Sequence, residues 1–283
     1  MLRAFLLSLL AALFVAGCQP GEAKVAFPAR PKSYRSLASL SPGSTEVAAS
    51  LAYSVKMVGR TAACNYPLQV STIPVVAQVK PDYERLKSLH PDLIVFDGDL
   101  YSDDDKAQIK ALGFEIFEFK AKTVDEYARE ILKFGSMLAI EADASAYADK
   151  MVQERKAAMS DALDPRPKVA LIMPGKSGEH YIAGTKGFQA DVIRAAGGEP
   201  VGPDQEKYVP IDAEALLQLN PDMVITAGKP DTFVADPRLK SLGAIAKMKV
   251  RGINGDIATR MGYRVDKEIG MLHRAIMDMA GSK

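Results

Sequence analysis

Seventeen residues that occur twice constrain this chain more than any other feature in it. Asp82-Tyr83-Glu84-Arg85-Leu86-Lys87-Ser88-Leu89-His90-Pro91-Asp92-Leu93-Ile94-Val95-Phe96-Asp97-Gly98 is matched 130 residues later by Asp212-Ala213-Glu214-Ala215-Leu216-Leu217-Gln218-Leu219-Asn220-Pro221-Asp222-Met223-Val224-Ile225-Thr226-Ala227-Gly228, with seven identities and no gap. An Asp opens each copy where a helix N-cap belongs, and a Glu follows in the first turn, where the helix dipole favours a carboxylate. Leu86 and Leu89, like Leu216 and Leu219, lie three apart on one helix face. Pro91 and Pro221 end the helix, because the residue before a proline is pushed out of the α region. The apolar runs over 93–96 and 223–226 then read as buried strands. The spacing far exceeds the roughly 20 to 50 residues of a solenoid unit. It predicts two related lobes.

Helices alternate with short apolar strands through the rest of the chain. The pattern predicts a strand over 35–40, the turn Ser41-Pro42-Gly43-Ser44 and a helix over 47–52. A second strand-and-loop unit begins near Val55 and reaches Cys64-Asn65-Tyr66-Pro67. A helix over 103–112 is closed by Gly113 and followed by a strand over 115–119. Residues 123–163 contain no proline and one glycine, and read as two helices. The second, over 141–163, spans about 35 Å at 1.5 Å per residue, enough to brace two lobes. Asp164-Pro165-Arg166-Pro167 stops it and a strand over 168–173 opens the second lobe, where Pro174-Gly175 echoes Pro42-Gly43. The expected class is α/β, with mostly parallel central sheets in two lobes joined by a long rigid backbone helix. The divisions are 33–140 for the first lobe, 141–164 for the backbone helix and 165–283 for the second lobe.

Residues 1–17 read as a targeting segment. Arg3 gives a positive start and Ala4 to Ala16 form an apolar stretch of thirteen residues, short of the roughly 20 that span a bilayer, so a secretion signal is expected. Val15-Ala16-Gly17-Cys18 resembles the bacterial lipobox, which implies cleavage before Cys18 and lipid on its sulfur. An ordinary signal peptide with a nearby cysteine is the alternative. Residues 18–32 then form a Pro-containing tether. Cys64 is left as the other cysteine, either a buried small hydrophobe or a cleft residue.

Thirty-six basic against thirty-five acidic residues give no overall field to attract nucleic acid. His90, His180 and His273 are the three histidines, and none has metal-ligand spacing. Ser41 and Cys64 can be nominated as nucleophiles, yet neither sits in a recognisable base motif. There is no Gly-x-Ser-x-Gly elbow and no phosphate-binding glycine loop. The chain does not read as an enzyme, and a hydrolase is the remote alternative.

The succession Ser39-Leu40-Ser41-Pro42, Thr45-Glu46, Val58-Gly59, Cys64-Asn65-Tyr66-Pro67, Glu84 through Val95, and Glu214 through Asp222 resembles the extracytoplasmic substrate-binding proteins of metal-chelate ABC importers. These proteins capture cobalamin, ferric siderophores and haem. The likeness runs from about Ser33 to Met279. It implies Rossmann-like lobes with the ligand in a shallow cleft between them. It also implies that Glu84 and Glu214, one per lobe, pair with arginines of a permease dimer that works with its ATPases. The remaining implied contacts are the chelate itself and a membrane reached through the lipid alone. The expected protein is an extracytoplasmic, lipid-anchored monomer with no cofactor of its own, its ligand being a cobalt or iron chelate. An adhesion or sensor lipoprotein of the same fold is the other reading.

Loops at strand ends supply the ligand-site candidates. They are Ser41, Ser44, Cys64, Asn65, Tyr66 and Asp99 from the first lobe, and Tyr181, Tyr208 and Arg260 from the second. Tyrosines suit a large planar or macrocyclic ligand, since each joins apolar area to a polar tip. Arg260 resembles the arginine of the family's late loop, which often reaches the cleft. Cobalamin comes first, because Cys64-Asn65-Tyr66-Pro67 resembles the corresponding loop of cobalamin binders. A ferric siderophore comes second and haem third, although the chain lacks tryptophan, a departure from many cobalamin binders.

Overall fold

The structure is a computed structural model that describes residues 33–281 apart from Asp99. The readings made on the signal segment, Cys18 and the tether lie outside the described residues.

The first lobe runs β1 (Ser36–Ser39), α1 (Pro42–Leu51), β2 (Lys56–Thr61), β3 (Val75–Ala77), α2 (Tyr83–Leu89), β4 (Leu93–Asp97), α3 (Asp103–Ala111) and β5 (Glu115–Phe119). Two helices follow, α4 (Val124–Leu138) and α5 (Glu141–Ser160). The second lobe runs β6 (Lys168–Pro174), β7 (His180–Ala183), α6 (Phe188–Ala195), β8 (Glu199–Pro200), β9 (Tyr208–Ile211), α7 (Ala213–Leu219), β10 (Met223–Ala227), α8 (Asp231–Val234), α9 (Gly243–Ala246), β11 (Val250–Ile253), α10 (Gly255–Ala258) and α11 (Val265–Gly281).

The duplication holds down to single hydrogen bonds. Asp82 accepts from the Arg85 N–H at 3.0 Å and Asp212 from the Ala215 N–H at 2.8 Å, each capping its helix. Both helices end on a left-handed residue, His90 at φ 44° and Asn220 at φ 42°, just before the proline that forbids another turn. The Asp after each proline ties the copy to the first strand of its lobe. Asp92 accepts from the Ser36 N–H at 2.9 Å, and Asp222 from the Lys168 N–H at 2.8 Å.

The first sheet is wholly parallel, in the order β3-β2-β1-β4-β5. Its chain moves from β1 out to β3 and returns to the other side of β1 as β4. The carboxyl ends of β1 and β4 therefore form the switch point where open α/β sheets bind ligands. The second sheet runs β11-β10-β6-β7-β9, with β8 beside the start of β6. It departs from the expected pattern at β7, which lies antiparallel to both β6 and β9. Only Gly175–Glu179 connects β6 to β7, too short for the dozen or so residues of a parallel crossover.

Both sheets bury both faces. Ala38, Ile94 and Phe96 pack outward beneath α2 and α3, and Ala170, Ile172 and Val224 beneath α7 and α8. The opposite faces meet in one continuous core. Leu37 and Val95 from the first sheet, Phe134 of α4, Met151 of α5, Val169 of β6 and Ile269 of α11 all belong to it. The one glycine of the helical stretch marks where α4 and α5 meet, since a Cβ on Gly135 would collide with Ala144. The brace is thus a layer of α4, α5 and α11 rather than α5 alone. Each large side chain buried in it is worth roughly 1.5–3 kcal/mol, which resists wide separation of the lobes.

Candidate functional site

The loops at the carboxyl ends of the strands face one another across a cleft. A cavity of about 370 Å³ lies there, lined by Asp97, Ala121 and Lys122 from the first lobe and Gln189, Glu206, Tyr208 and Met261 from the second, among others. Thr259 joins it to a neighbouring cavity of about 360 Å³ at the ends of β6, β10 and β11.

Polar contacts bracket the cleft. On one side Arg260 donates to Asn65 Oδ1 at 2.7 Å, to Asp256 Oδ1 at 2.7 Å and to Glu46 Oε1 at 3.2 Å. Asn65 Nδ2 returns a bond to Asp256 Oδ2 at 2.9 Å, so the two lobes are stitched through one side-chain ring. Arg264 grips both oxygens of Glu46, which is 1% exposed, and lays its guanidinium 4.1 Å over the Tyr66 ring. Tyr127 and Tyr147 donate to the Gly262 carbonyl at 3.0 Å, holding the 259–264 loop from the brace. On the other side Lys122 of the first lobe pairs with Glu206 of the second.

Asp97 closes β4 at the switch point. Its N–H donates to Ser41 Oγ at 3.1 Å, while its Oδ1 is buried without a hydrogen-bond partner. Burial, reinforced by the charge of Glu46, pushes its carboxyl up to about 7 against the pull of Ser41 and the Ser44 N–H. Burial also raises Tyr208 well above an ordinary phenol, and its hydroxyl donates to the Ala258 carbonyl at 3.0 Å.

Among the residues the sequence nominates, Tyr208 lines the cavity, Asn65 and Arg260 bond to each other across the lobes, and Tyr66 lies beneath Arg264. Ser41 and Ser44 do not face it. Both are fully buried, with Ser41 capping α1 and Ser44 joined to Ser39 and Ser41 in a hydroxyl chain. Cys64 is also buried, its thiol between Thr45 and Thr61 at 2.9 and 3.1 Å, which matches the first of its two readings, a buried small hydrophobe. Tyr181 lies on β7 and lines a separate cavity with Asp212 and Arg238. Asp99 is outside the described residues. Glu84 and Glu214 stand exposed at the second position of α2 and α7, and Glu84 pairs with Lys87 at 2.8 Å.

Sequence reading misses Asp97, two positions from the Asp99 it names, and the cross-cleft pair Lys122–Glu206. A signal for Asp97 exists, since a carboxylate ends an otherwise apolar strand at the switch point. For Lys122 and Glu206 nothing local distinguishes them from surface charges. Glu46 sits inside a motif the resemblance quotes, yet its pairing across 218 positions with Arg264 is invisible in one dimension.

A family model described as a periplasmic binding protein matches residues 37–256. An ABC transporter substrate-binding lipoprotein of Bacillus subtilis, YvrC, is 24% identical over 258 residues, covering 87% of this chain and 81% of its own. The vitamin B12-binding protein of Salmonella typhimurium is 24% identical over 228 residues, covering 80% and 84%. The solved structure of the periplasmic heme-binding protein BhuT with two hemes superposes with a TM-score of 0.76 at 21% identity, covering 88% of this chain and 99% of that one. That likeness shows a shared two-lobed fold.

Proposed function

The chain belongs to the periplasmic binding protein family, and on that premise we propose that it captures a metal chelate outside the cytoplasm and hands it to the permease of an ABC importer. It is a binding component, not an enzyme. No helix among the described residues is long and apolar enough to cross a membrane. We read the anchor as a lipid on Cys18.

The observation that carries the reading is the cavity between the lobes, apolar through Ala121 and Met261 and edged by Asp97, Gln189 and Thr259. That mixture suits a macrocycle fringed with neutral hydrogen-bonding groups, so cobalamin is the preferred ligand. A ferric siderophore is second. Haem is third, because three side chains able to ligate its iron are committed elsewhere. Tyr208 donates to Ala258, Tyr66 stacks beneath Arg264, and His180 is buried against Asp236 at 3.3 Å.

Thermal unfolding of the form beginning at residue 18, alone and with cyanocobalamin, ferric siderophores and haem, tests this. A ligand at 100 times its dissociation constant adds about 2.7 kcal/mol, which at this size raises the midpoint by roughly 5–11 °C. The expected result is that rise with cyanocobalamin. A rise with one ferric siderophore alone would keep the class and replace the ligand, and no rise with any of them would overturn the chelate reading.

A further inference from the structure

Asp97 has an unspent hydrogen-bonding group in the cleft. Its Oδ1 is buried and unpaired while the residue lines the cavity. A buried oxygen without a partner is costly, so it wants one from whatever enters. We propose that Asp97 is the polar anchor of the ligand site and pairs with a primary amide on the bound chelate, a group that donates and accepts side by side. This assignment rests on the corrinoid reading above, since primary amides fringe that macrocycle.

The surroundings say in which form Asp97 does this. Glu46 of α1 faces it with a like charge, and Tyr101 and Tyr127 approach it with hydroxyls that carry no positive charge. Arg260 is the facing cation from the second lobe, but its donors go to Asn65, Asp256, Glu46 and the Ala63 carbonyl. Lys122, also lining the cavity, is engaged with Glu206. Lys207 lines the cavity too, yet among the described residues no cation forms an ion pair with Asp97, which meets the ligand as the neutral acid. The acid O–H then donates to the amide carbonyl while the amide N–H donates to the acid's other oxygen. Covering the site removes water and favours the neutral form further. Binding therefore takes up a proton. Affinity is flat below about pH 7, the value to which the free carboxyl is raised, and declines as pH rises above it.

Calorimetric titration with cyanocobalamin at about pH 6 and about pH 8.5 tests the proposal on the wild type, Asp97→Asn and Asp97→Ala. The wild type should bind roughly tenfold more tightly at the lower pH, with proton uptake visible as a dependence on buffer ionisation heat. Asp97→Asn, always neutral and still able to donate and accept, should keep the tighter affinity at both values. Asp97→Ala should lose roughly tenfold or more at the lower pH. Equal binding by Asp97→Ala and the wild type, or a pH dependence that survives in Asp97→Asn, would overturn the assignment while leaving the corrinoid reading intact. Absence of cyanocobalamin binding by the wild type would overturn both. The unfolding midpoints of the two variants show that each is folded at the pH of titration.

Discussion

Glu46→Ala lowers the unfolding free energy by about 3–5 kcal/mol, the usual cost of removing one partner from a buried ion pair. At this size that is a fall in midpoint of roughly 6–20 °C. The reason lies in what the substitution leaves behind. Arg264, 8% exposed against 1% for Glu46, gives the carboxylate two hydrogen bonds and has its guanidinium against Tyr66. Without the carboxylate the Arg264 charge stays in the interior and, among the described residues, loses its hydrogen-bonded anion. Arg260 loses a bond at the same time, so the ring that ties the lobes through Asn65 and Asp256 is weakened as well. Calorimetry of the purified variant checks it, and a change below about 1 kcal/mol would mean that the pair breaks even with its desolvation cost.

Reversing both exposed glutamates, Glu84→Arg with Glu214→Arg, cuts uptake by the cognate importer to less than about a tenth while ligand affinity stays within about twofold of the wild type. Neither carboxylate lines the cleft cavity, and each stands at the start of a helix on its own lobe. Truncation is a weaker test than reversal, because an exposed ion pair is worth only about 0.2–1 kcal/mol. Like charges forced together across an interface cost several kcal/mol. Uptake in cells carrying the permease, measured beside binding by the purified variant, separates docking from capture. Unchanged uptake would favour a sensor or adhesion protein of the same fold.

What the sequence revealed and what it hid follow a physical division. The duplicated helix-and-strand units were legible because their signals are local. Asp82 and Asp212 cap, Pro91 and Pro221 stop, and the apolar runs that follow are short enough to be strands. The helix α5 was legible for the same reason, although it ends at Ser160, three residues before the expected end, and braces the lobes together with α4 and α11 rather than alone. The antiparallel β7 was not, because the connection after Pro174 reads as loop whichever way the next strand runs. That turn also explains Tyr181. On a hairpin strand its direction follows the alternation of β7 rather than the loop geometry of a parallel strand end. Ser41 and Ser44 were nominated for the ligand site and are buried instead, while Cys64 takes the buried one of its two readings. Small hydroxyls and thiols can satisfy one another, and here Ser39, Thr45 and Thr61 let the cluster turn inward. Asn65 and Arg260, longer and less easily satisfied locally, reach across to the other lobe as a cleft residue should.

The space between the lobes is the proposed seat of the chelate. Calorimetric titration with cyanocobalamin, wild type beside Gln189→Trp, addresses it most directly. Gln189 lines the cavity from the first turn of α6 and is partly exposed, so an indole there fills the space without entering the core. One-to-one binding is expected for the wild type, and at least roughly tenfold weaker binding for a variant that unfolds at an unchanged midpoint. Equal affinity and stoichiometry in the two proteins would place the ligand elsewhere and contradict that proposal.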